Sequence, residues 1–269
     1  RGVGEDGTAR LIPHGPALRF VKRPEAPRQV LLAIHFDTVY GPGHPFRTCR
    51  RLDADTLNGP GVADAKGGIA VMLAALETFE ASPFAEGLGW RVVLNPDEEI
   101  GSTGSAGLLA GSAAGALFGL LYEPALEDGT MAGARKGSGN FTLVVHGRAA
   151  HAGRDFDQGR NALAALAAAI GEIDALNGTR PGVTFNCAKV EGGGPSNIVP
   201  DLALLRLNVR AATAEDAAWA AAELGGVAAR LGGRDGIRAE LHGGFTRPPK
   251  PGDAPHRRLR DWVAGLGAR

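Results

Sequence analysis

The sequence lacks the features that mark several large classes of protein. Acidic and basic residues balance at 29 each, so no net charge draws the chain toward nucleic acid or an anionic membrane surface. No apolar stretch approaches the ~20 residues that a membrane-spanning helix needs. Only two cysteines occur, Cys49 and Cys187, and neither lies in a CxxC pair, which argues against a thiolate metal site. Two free thiols are the more common state of cysteines so far apart, and a disulfide is the alternative.

The first half of the chain alternates strand-like and helix-like segments. Short apolar runs at 29–34, 91–94 and 116–122 are typical of buried strands. Apolar residues recur at helical spacing over 67–80, and 105–110 is also predicted to be helical. This alternation predicts an α/β fold with a mixed, mostly parallel sheet, in which ligands gather beyond the carboxyl ends of the strands.

The second half follows the order strand, helix, strand, strand, helix, strand, which predicts an inserted α+β domain of the ferredoxin-like kind. A Pro-rich stretch from Arg247 marks a linker, and a helix after it is predicted to return to the first domain. We therefore expect a metal-binding domain at 1–136 and 248–269, incomplete at both ends, and a lid domain at 137–247. Localisation stays open, because a chain that starts without Met could already have lost a signal peptide.

Ligand-type side chains follow the predicted strands. His35 and Asp37 are two residues apart in HFDTVYG, so a histidine could bind a metal while the carboxylate holds its other ring nitrogen. The alternative is a turn histidine with a capping aspartate. Asp64 lies in the Gly-rich segment NGPGVADAKGG, where it could bridge two metals or, alternatively, cap the following helix.

Two adjacent carboxylates, Glu98 and Glu99, end the run WRVVLNPDEEIGS. Neighbouring side chains at a strand end point in different directions, so we expect Glu99 to bind metal and Glu98 to act as general base. Glu123 follows a third strand in LLYEPA. The alternatives are a solvated acidic turn and a charged strand end. Together, these residues at successive strand ends favour a site with more than one divalent metal and a carboxylate base. Zinc suits the donors, and cobalt or manganese would be accepted.

The motifs HFDTVYG, NGPGVADAKGG, NPDEEIGS, YEP, GRAAHAG and PSNIVP occur in this order, and with them the chain resembles the M20 metallopeptidases, in particular the glutamate carboxypeptidases. The resemblance implies a zinc domain interrupted by a lid that also forms a homodimer. It implies two zinc ions per subunit in the complete protein, bridged by Asp64, with His35 and Glu123 on one and Glu99 on the other. It implies Glu98 as the base and a cis peptide bond after Asp64.

The resemblance also assigns roles to lid residues. His151, in GRAAHAG, would reach across the dimer and stabilise the oxyanion in the partner's site. Arg210 and Arg247 match arginines that hold a substrate carboxylate, and Lys136 and Asn197 are weaker candidates for the same task. The alternatives are a turn residue for His151 and surface ion pairs for the arginines.

The family pattern continues beyond both ends of this sequence, with a last metal-binding histidine expected after Arg269. We therefore expect the chain to bind at most one metal well and to have low activity. The expected function is hydrolysis of an amide bond next to a free carboxylate, with release of C-terminal glutamate or a similar amino acid from a small molecule or short peptide. The alternatives are an N-acyl amino acid deacylase, like the aminoacylases and acetylornithine deacetylases, and a non-catalytic dimeric binding protein. Nucleic acid and membrane partners are not expected.

Overall fold

The computed structural model describes residues 2–131 and 133–267. Its strands are β1 (Gly2–Val3), β2 (Ala9–Arg10), β3 (Leu18–Lys22), β4 (Gln29–His35), β5 (Arg50–Arg51), β6 (Leu57–Asn58), β7 (Gly89–Asn95), β8 (Gly119–Leu121), β9 (Gly137–His146), β10 (Thr184–Gly192), β11 (Leu202–Ala211) and β12 (Arg238–Arg247). Its helices are α1 (Gly67–Glu80), α2 (Ala106–Ala113), α3 (Ala162–Asp174), α4 (Ala214–Gly232) and α5 (Ala254–Gly267). By their contacts these elements form two units, which are described separately.

The first unit, Pro13–Met131, is built on a four-stranded sheet with the order β3-β7-β4-β8. Strand β4 runs parallel to both β7 and β8, and β3 adds an antiparallel edge. Every residue of β4 is buried, which explains its continuous apolar sequence. Its side chains pack with Met72 of α1, Val92 of β7 and Ala65, which lies in the loop before α1.

The register of the parallel strands brings the ligand-type residues to one edge of this sheet. His35 at the end of β4 is paired with Asn95 at the end of β7, and Ala33 is paired with Leu121 at the end of β8. Strands β4 and β7 therefore end level, and β8 ends two residues earlier at the same edge of the sheet. The segments that follow β7 and β8 carry Glu98, Glu99 and Glu123, so all of these residues leave the sheet at the same edge.

The described residues on either side of Pro13–Met131 form the second unit. Its sheet is antiparallel with the order β10-β11-β9-β12, and α3 and α4 cover one face. Apolar residues alternate along the strands toward these helices, for example Leu143 and Val145 of β9 with Leu205 of β11. The β1-β2 hairpin lies against the other face at Gly7, whose φ of 77° and close approach to Val144 exclude a side chain.

The predicted fold class is confirmed: a mixed, mostly parallel α/β sheet is combined with a unit in the ferredoxin-like order of elements. The short strands β1, β2, β5 and β6 and the edge strand β3 were not predicted. Strand β3 is exposed along its whole length, so its sequence carries no periodic burial signal. The predicted domain boundaries, including the assignment of 248–269 to the metal-binding domain, stay predictions.

No helix among residues 2–131 and 133–267 is long and apolar enough to cross a membrane. Cys49 and Cys187 are both free thiols, as expected. Burial raises the pKa of the Cys187 thiol above its usual value, which keeps this side chain in its unreactive, protonated form.

An ion network on the first unit gives its stability a dependence on pH. Glu80 of α1 accepts hydrogen bonds from Arg23 and Trp90 and pairs with Lys22 at 2.7 Å. Arg23, then Lys22 and Trp90, hold the pKa of Glu80 far below its usual value of 4.5. Because the folded-state pKa is lowered, the stabilisation is complete above the unfolded-state value and is lost as pH falls toward the folded-state value.

Replacement of Glu80 with glutamine is therefore expected to lower the melting temperature by a few degrees at pH 7. The difference from wild type should shrink steadily below pH 4.5, as thermal unfolding followed by circular dichroism will measure. Glu77→Gln, an exposed change on the same helix, is the control and should have little effect. A Glu80→Gln deficit that is the same at pH 7 and pH 3 would show that the ion network is not its cause.

Candidate metal centre

His35 has separate partners for its two ring nitrogens. Its side chain is only 1% exposed. Nδ1 lies 3.2 Å from an Asp37 carboxylate oxygen, and Nε2 lies 2.9 Å from Asp64 Oδ1 and 3.6 Å from Glu123 Oε2. A carboxylate on Nδ1 fixes the ring orientation and directs Nε2 toward the other two carboxylates. The contact of Asp37 with Nδ1 is one of the two arrangements that the HxD spacing allows.

One nitrogen and two oxygens form the candidate cation site. His35 Nε2 and one carboxylate oxygen each of Asp64 and Glu123 lie within 4.8 Å of one another, and we call these residues the three-residue cluster. Zinc binds such donors at about 2.0–2.2 Å, which requires spacings of about 3.3–3.6 Å between them. The Asp64 and Glu123 side chains are 58% and 40% exposed, so small rotations can close the group around an ion. The donor set therefore fits a divalent metal.

Negative charge is in excess around the three-residue cluster. Burial raises the pKa of Glu123, and the negative charges of Glu98 and Asp64 raise it further. The pKa of Glu99 is raised by burial and by Asp64. Burial alone would lower the pKa of His35, but the hydrogen bond to Asp64 and the charges of Glu123 and Glu98 outweigh it and raise the pKa. A divalent cation would offset this excess of negative charge.

The loop that carries Asp64 is fixed at both of its ends. Gly61 adopts a φ of 75°, which a side chain would disfavour, and its carbonyl accepts a 2.7 Å hydrogen bond from the Lys66 N–H. Ala65 is completely buried in the core of the unit. The peptide bond between Asp64 and Ala65 is cis, as the family resemblance implies.

Gly68, in the first turn of α1, lets this loop and the segment after β8 approach each other. A Cβ atom at this position would lie 2.0 Å from the Tyr122 carbonyl oxygen. Tyr122 in turn donates its N–H to Ala33 of β4 and directly precedes Glu123. The absence of a side chain at Gly68 therefore helps to bring Asp64 and Glu123 to the same place.

Gly68→Ala is expected to push α1 away from the strand end, at a cost of about 1–3 kcal/mol in the free energy of unfolding. It should also weaken zinc binding by on the order of tenfold or more, because it separates two ligands. Chemical unfolding and zinc titration will measure both effects. Gly107→Ala, on α2 with no atom near the added Cβ, is the control and should keep wild-type zinc affinity. Wild-type affinity in Gly68→Ala would refute the role of this contact.

The turn after β7 is held by Asp37. Its two carboxylate oxygens accept hydrogen bonds from the N–H groups of Glu98, at 3.2 Å, and Glu99, at 3.0 Å. Asp37 thus connects the orientation of His35 to the position of the two glutamates. Glu99 lies outside the three-residue cluster, so its predicted role as ligand of a second metal stays a prediction, as does that of Glu98 as base.

In the second unit, His151 and Asn197 lie on adjacent segments. His151 is bridged to Ile198, and the Ala152 N–H donates to the Asn197 carbonyl at 2.9 Å. The N–H groups of Gly153 and Arg154 both donate to His151 Nδ1. A neutral His151 therefore carries its proton on Nε2, which leaves that nitrogen as a hydrogen-bond donor.

Arg210 and Arg247 are brought together by the sheet of the second unit. Both are paired with Ser138 of β9, one from β11 and the other from β12, so the two side chains flank Ser138 on the same face of the sheet. Arg210 Nε donates to Asn208 Oδ1 at 2.9 Å. Lys136 is exposed and precedes β9 by one residue.

Sequence reasoning missed three residues that shape these sites. Asn208 donates to Ser138 and Asn140 and supports the face that carries the arginines. The available signal was a polar residue at every second position over 138–142 of β9 and 206–210 of β11. Gly68 and the buried Asp97 were not recognised, because their partners are distant or lie in a loop whose path the sequence does not reveal.

Two family models match parts of the chain. The model described as a peptidase dimerisation domain, that of the M20 family, matches residues 133–235, within the second unit. The model of peptidase family M28 matches residues 19–119, within the α/β unit. The fold and the site thus define a protein of the metallopeptidase class, with a candidate metal site in the α/β unit and a second unit that matches a dimerisation domain.

Similarity to known proteins identifies one family within the metallopeptidase class. The chain is 33% identical to carboxypeptidase G2 from Pseudomonas sp. (strain RS-16) over 190 residues, which are 70% of this chain and 46% of that protein. A tripeptidase structure from Staphylococcus aureus matches with a TM-score of 0.69 and 23% identity, over 93% of this chain and 67% of that one. A Bacillus subtilis structure, described as a dinuclear metal-binding peptidase from the M20 family, matches with a TM-score of 0.58 and 16% identity, over 93% and 67%.

The chain belongs to the M20 family of metallopeptidases, which confirms the resemblance drawn from its motifs. The structural matches, each below 25% identity, support the fold alone. The chain spans about half the length of the curated relatives it matches.

Proposed function

We propose that this protein is a metal-dependent hydrolase that cleaves an amide bond next to a free carboxylate. The observation that carries the proposal is the convergence of His35, Asp64 and Glu123 beside a turn with two further glutamates. When bound, a zinc ion supplies Lewis acidity that polarises an amide carbonyl and acidifies water. Zinc at the three-residue cluster is part of the proposal, and so is a more weakly held second ion, for which Asp64 and Glu99 would supply ligands. Cobalt and manganese would suit the same donors.

Glu98, Asp37 and His151 each have one task in the proposed reaction. Glu98 takes the proton of the attacking water and later delivers it to the leaving amine as the carbon–nitrogen bond breaks. Asp37 holds the His35 ring and the turn that carries Glu98. His151 donates from Nε2 to the oxyanion that develops on the carbonyl, in the role that the family resemblance gives it.

The substrate class rests on the two arginines. Arg210 and Arg247 flank Ser138 on one sheet face, where two guanidinium groups suit a carboxylate. Lys136 and Asn197 are proposed to assist in binding. Similarity to carboxypeptidase G2 favours release of a C-terminal amino acid, and we propose glutamate or a similar residue.

Hydrolysis of peptides that end in glutamate, compared with hydrolysis of N-acetyl amino acids, tests the function. Glutamate release that a chelator stops and zinc restores supports a carboxypeptidase. Acetate release in preference to glutamate would instead support the deacylase alternative. Zinc binding without turnover of either substrate class would support the non-catalytic alternative and overturn the proposal.

We further propose that the second unit forms a homodimer, as its match to a peptidase dimerisation domain suggests. Strand β10 is an edge of the sheet and exposes Val190. Phe156, Leu163 and Ile198 are also exposed and line a cavity of about 300 Å³ in the same unit. An unpaired edge and apolar side chains suit pairing with the same surface of a second copy.

Val190→Asp combined with Leu163→Asp is expected to convert the dimer to a monomer in light scattering after size-exclusion chromatography. Zinc affinity should be retained, because the three-residue cluster lies in the first unit. Hydrolysis should fall if His151 serves the partner's site. Val71→Asp, an equally polar change at an exposed position of α1, is the control. A wild-type chain that stays monomeric at high concentration would contradict the dimer.

A further inference from the structure

Asp97 is a completely buried carboxylate to which the chemistry proposed above assigns no task. It directly precedes Glu98. Its Oδ2 accepts hydrogen bonds from the Gly104 N–H at 2.7 Å and the Ser105 N–H at 3.1 Å, and its Oδ1 accepts one from the Ser105 hydroxyl at 2.5 Å. A charged group is retained in such a place only when its hydrogen bonds are satisfied, and here three donors from one short segment converge on it.

The backbone of the same loop is closed around Asp97. The Ser102 N–H donates to the Asp97 carbonyl at 2.6 Å, and the Gly101 N–H donates to the Glu98 carbonyl at 2.8 Å. Gly101 and Ser102 have φ values of 99° and 54°, so the chain takes two consecutive left-handed residues. A serine is disfavoured in this conformation, and the hydrogen bonds around it hold it there.

Two carboxylates therefore hold the turn: Asp37, which is partly buried, and Asp97, which is completely buried. The Asp37 carboxylate accepts hydrogen bonds from the N–H groups of Glu98 and Glu99. The Asp97 carboxylate accepts a hydrogen bond from the Gly104 N–H, just before α2. The direction of each glutamate side chain depends on the backbone dihedrals between these anchors. If the Asp97 anchor is lost, the turn can rotate about the Asp37 contacts, and the two carboxylates can exchange directions or spread.

We propose that Asp97 is a positioning residue, whose buried carboxylate holds the turn so that the Glu98 and Glu99 carboxylates face the cation site in separate, fixed directions. The proposal rests on the proposed function in one respect, since it gives the two glutamates their tasks. The positioning itself is a property of the folded chain and can be measured without hydrolysis.

The test compares Asp97→Ala and Asp97→Asn with Gln29→Ala. Gln29 is a suitable control, because it is also buried, donates hydrogen bonds to the carbonyls of Arg23 and Ala26, and lies at the opposite end of β4 from His35. Six residue steps along the strand, or about 20 Å, separate Gln29 from His35. Both alanine substitutions should lower the melting temperature. All measurements are therefore made well below the lower of the two melting temperatures.

Hydrogen exchange of the Glu98 and Glu99 amides, followed by NMR, is the first readout. Asp97→Ala should accelerate it by on the order of tenfold or more, since the turn opens locally, and Gln29→Ala should not. Zinc affinity, from competition with a chromophoric chelator, should fall about 10–100-fold in Asp97→Ala alone. Asp97→Asn should retain most of both properties, because its amide oxygen can accept the two backbone N–H groups while its amino group donates to the Ser105 hydroxyl.

Hydrolysis gives a third readout: kcat should fall in Asp97→Ala with KM nearly unchanged, because the reacting groups and not substrate binding are disturbed. Wild-type exchange and zinc affinity in Asp97→Ala, or equal losses in Gln29→Ala, would overturn the proposal. If Asp97→Ala does not fold, Ser105→Ala, which removes one of the three donors, should show a smaller change in the same direction, and no change would overturn it. Absence of hydrolysis in wild type would refute the proposed function, while the exchange measurement would still decide the role of Asp97.

Discussion

Glu98→Gln is expected to reduce amide hydrolysis about 10²–10⁴-fold while zinc affinity stays close to that of wild type. Glutamine keeps the size of the side chain and its place in the turn but cannot take a proton from water. Glu98 lies outside the three-residue cluster, so its loss removes no donor from that group. Its N–H bond to Asp37 comes from the backbone and is not altered by the change. Parallel measurement of kcat and of zinc affinity by competition will separate the two effects.

The neighbouring residue gives the sharpest comparison for this result. Glu99→Gln should reduce both zinc binding and hydrolysis, because we propose Glu99 as a ligand and its N–H is held by Asp37 on the turn beside the three-residue cluster. Glu127→Gln, an exposed change four residues after Glu123, should alter neither. Activity in Glu98→Gln within a few-fold of wild type would remove Glu98 from the role of base.

Zinc binding is expected to be lost when His35 is replaced by alanine, with a fall in affinity of at least about 100-fold. The imidazole is the only nitrogen donor of the three-residue cluster and lies on a buried strand end, so no other described side chain of the group can replace it. Asp37→Asn should have a smaller effect, about 10–100-fold, because it weakens the support of the ring and leaves the donor in place. Isothermal titration with zinc will give both values.

His242→Gln is the control for the loss of a histidine in general. This residue lies on β12 of the second unit, 3.3 Å from Glu240, and belongs to no group of three potential metal ligands among the described residues. Its replacement should leave zinc affinity unchanged. Equal losses in His35→Ala and His242→Gln would show that zinc binds the chain without using the predicted site.

The convergence of the ligand-type residues could be predicted because it follows from a general property of parallel sheets. His35, Glu98 and Glu123 each come soon after an apolar strand, and parallel strands bring their carboxyl ends to one edge. The sequence left two roles open for Asp64, because an aspartate at this position could either bind metal or cap α1. The position of Asp64 depends on the burial of Ala65 and on the absence of a side chain at Gly68. Both are features of the tertiary structure.

Other parts of the sites could not be predicted, because they depend on register between distant strands. Arg210 and Arg247 were chosen by resemblance, and only the pairing of both with Ser138 puts them on one sheet face. The role of Asp97 was hidden, because an acidic residue beside two glutamates suggests a solvated turn. Its burial follows from donors seven and eight residues further along a loop without periodicity.

The most direct test of the account is anomalous diffraction at the zinc edge from crystals of the protein grown with zinc. We expect a peak about 2.0–2.2 Å from His35 Nε2 and from one carboxylate oxygen each of Asp64 and Glu123. Strong peaks only at other sites, such as the pairs His242 with Glu240 or His256 with Asp253, would contradict it.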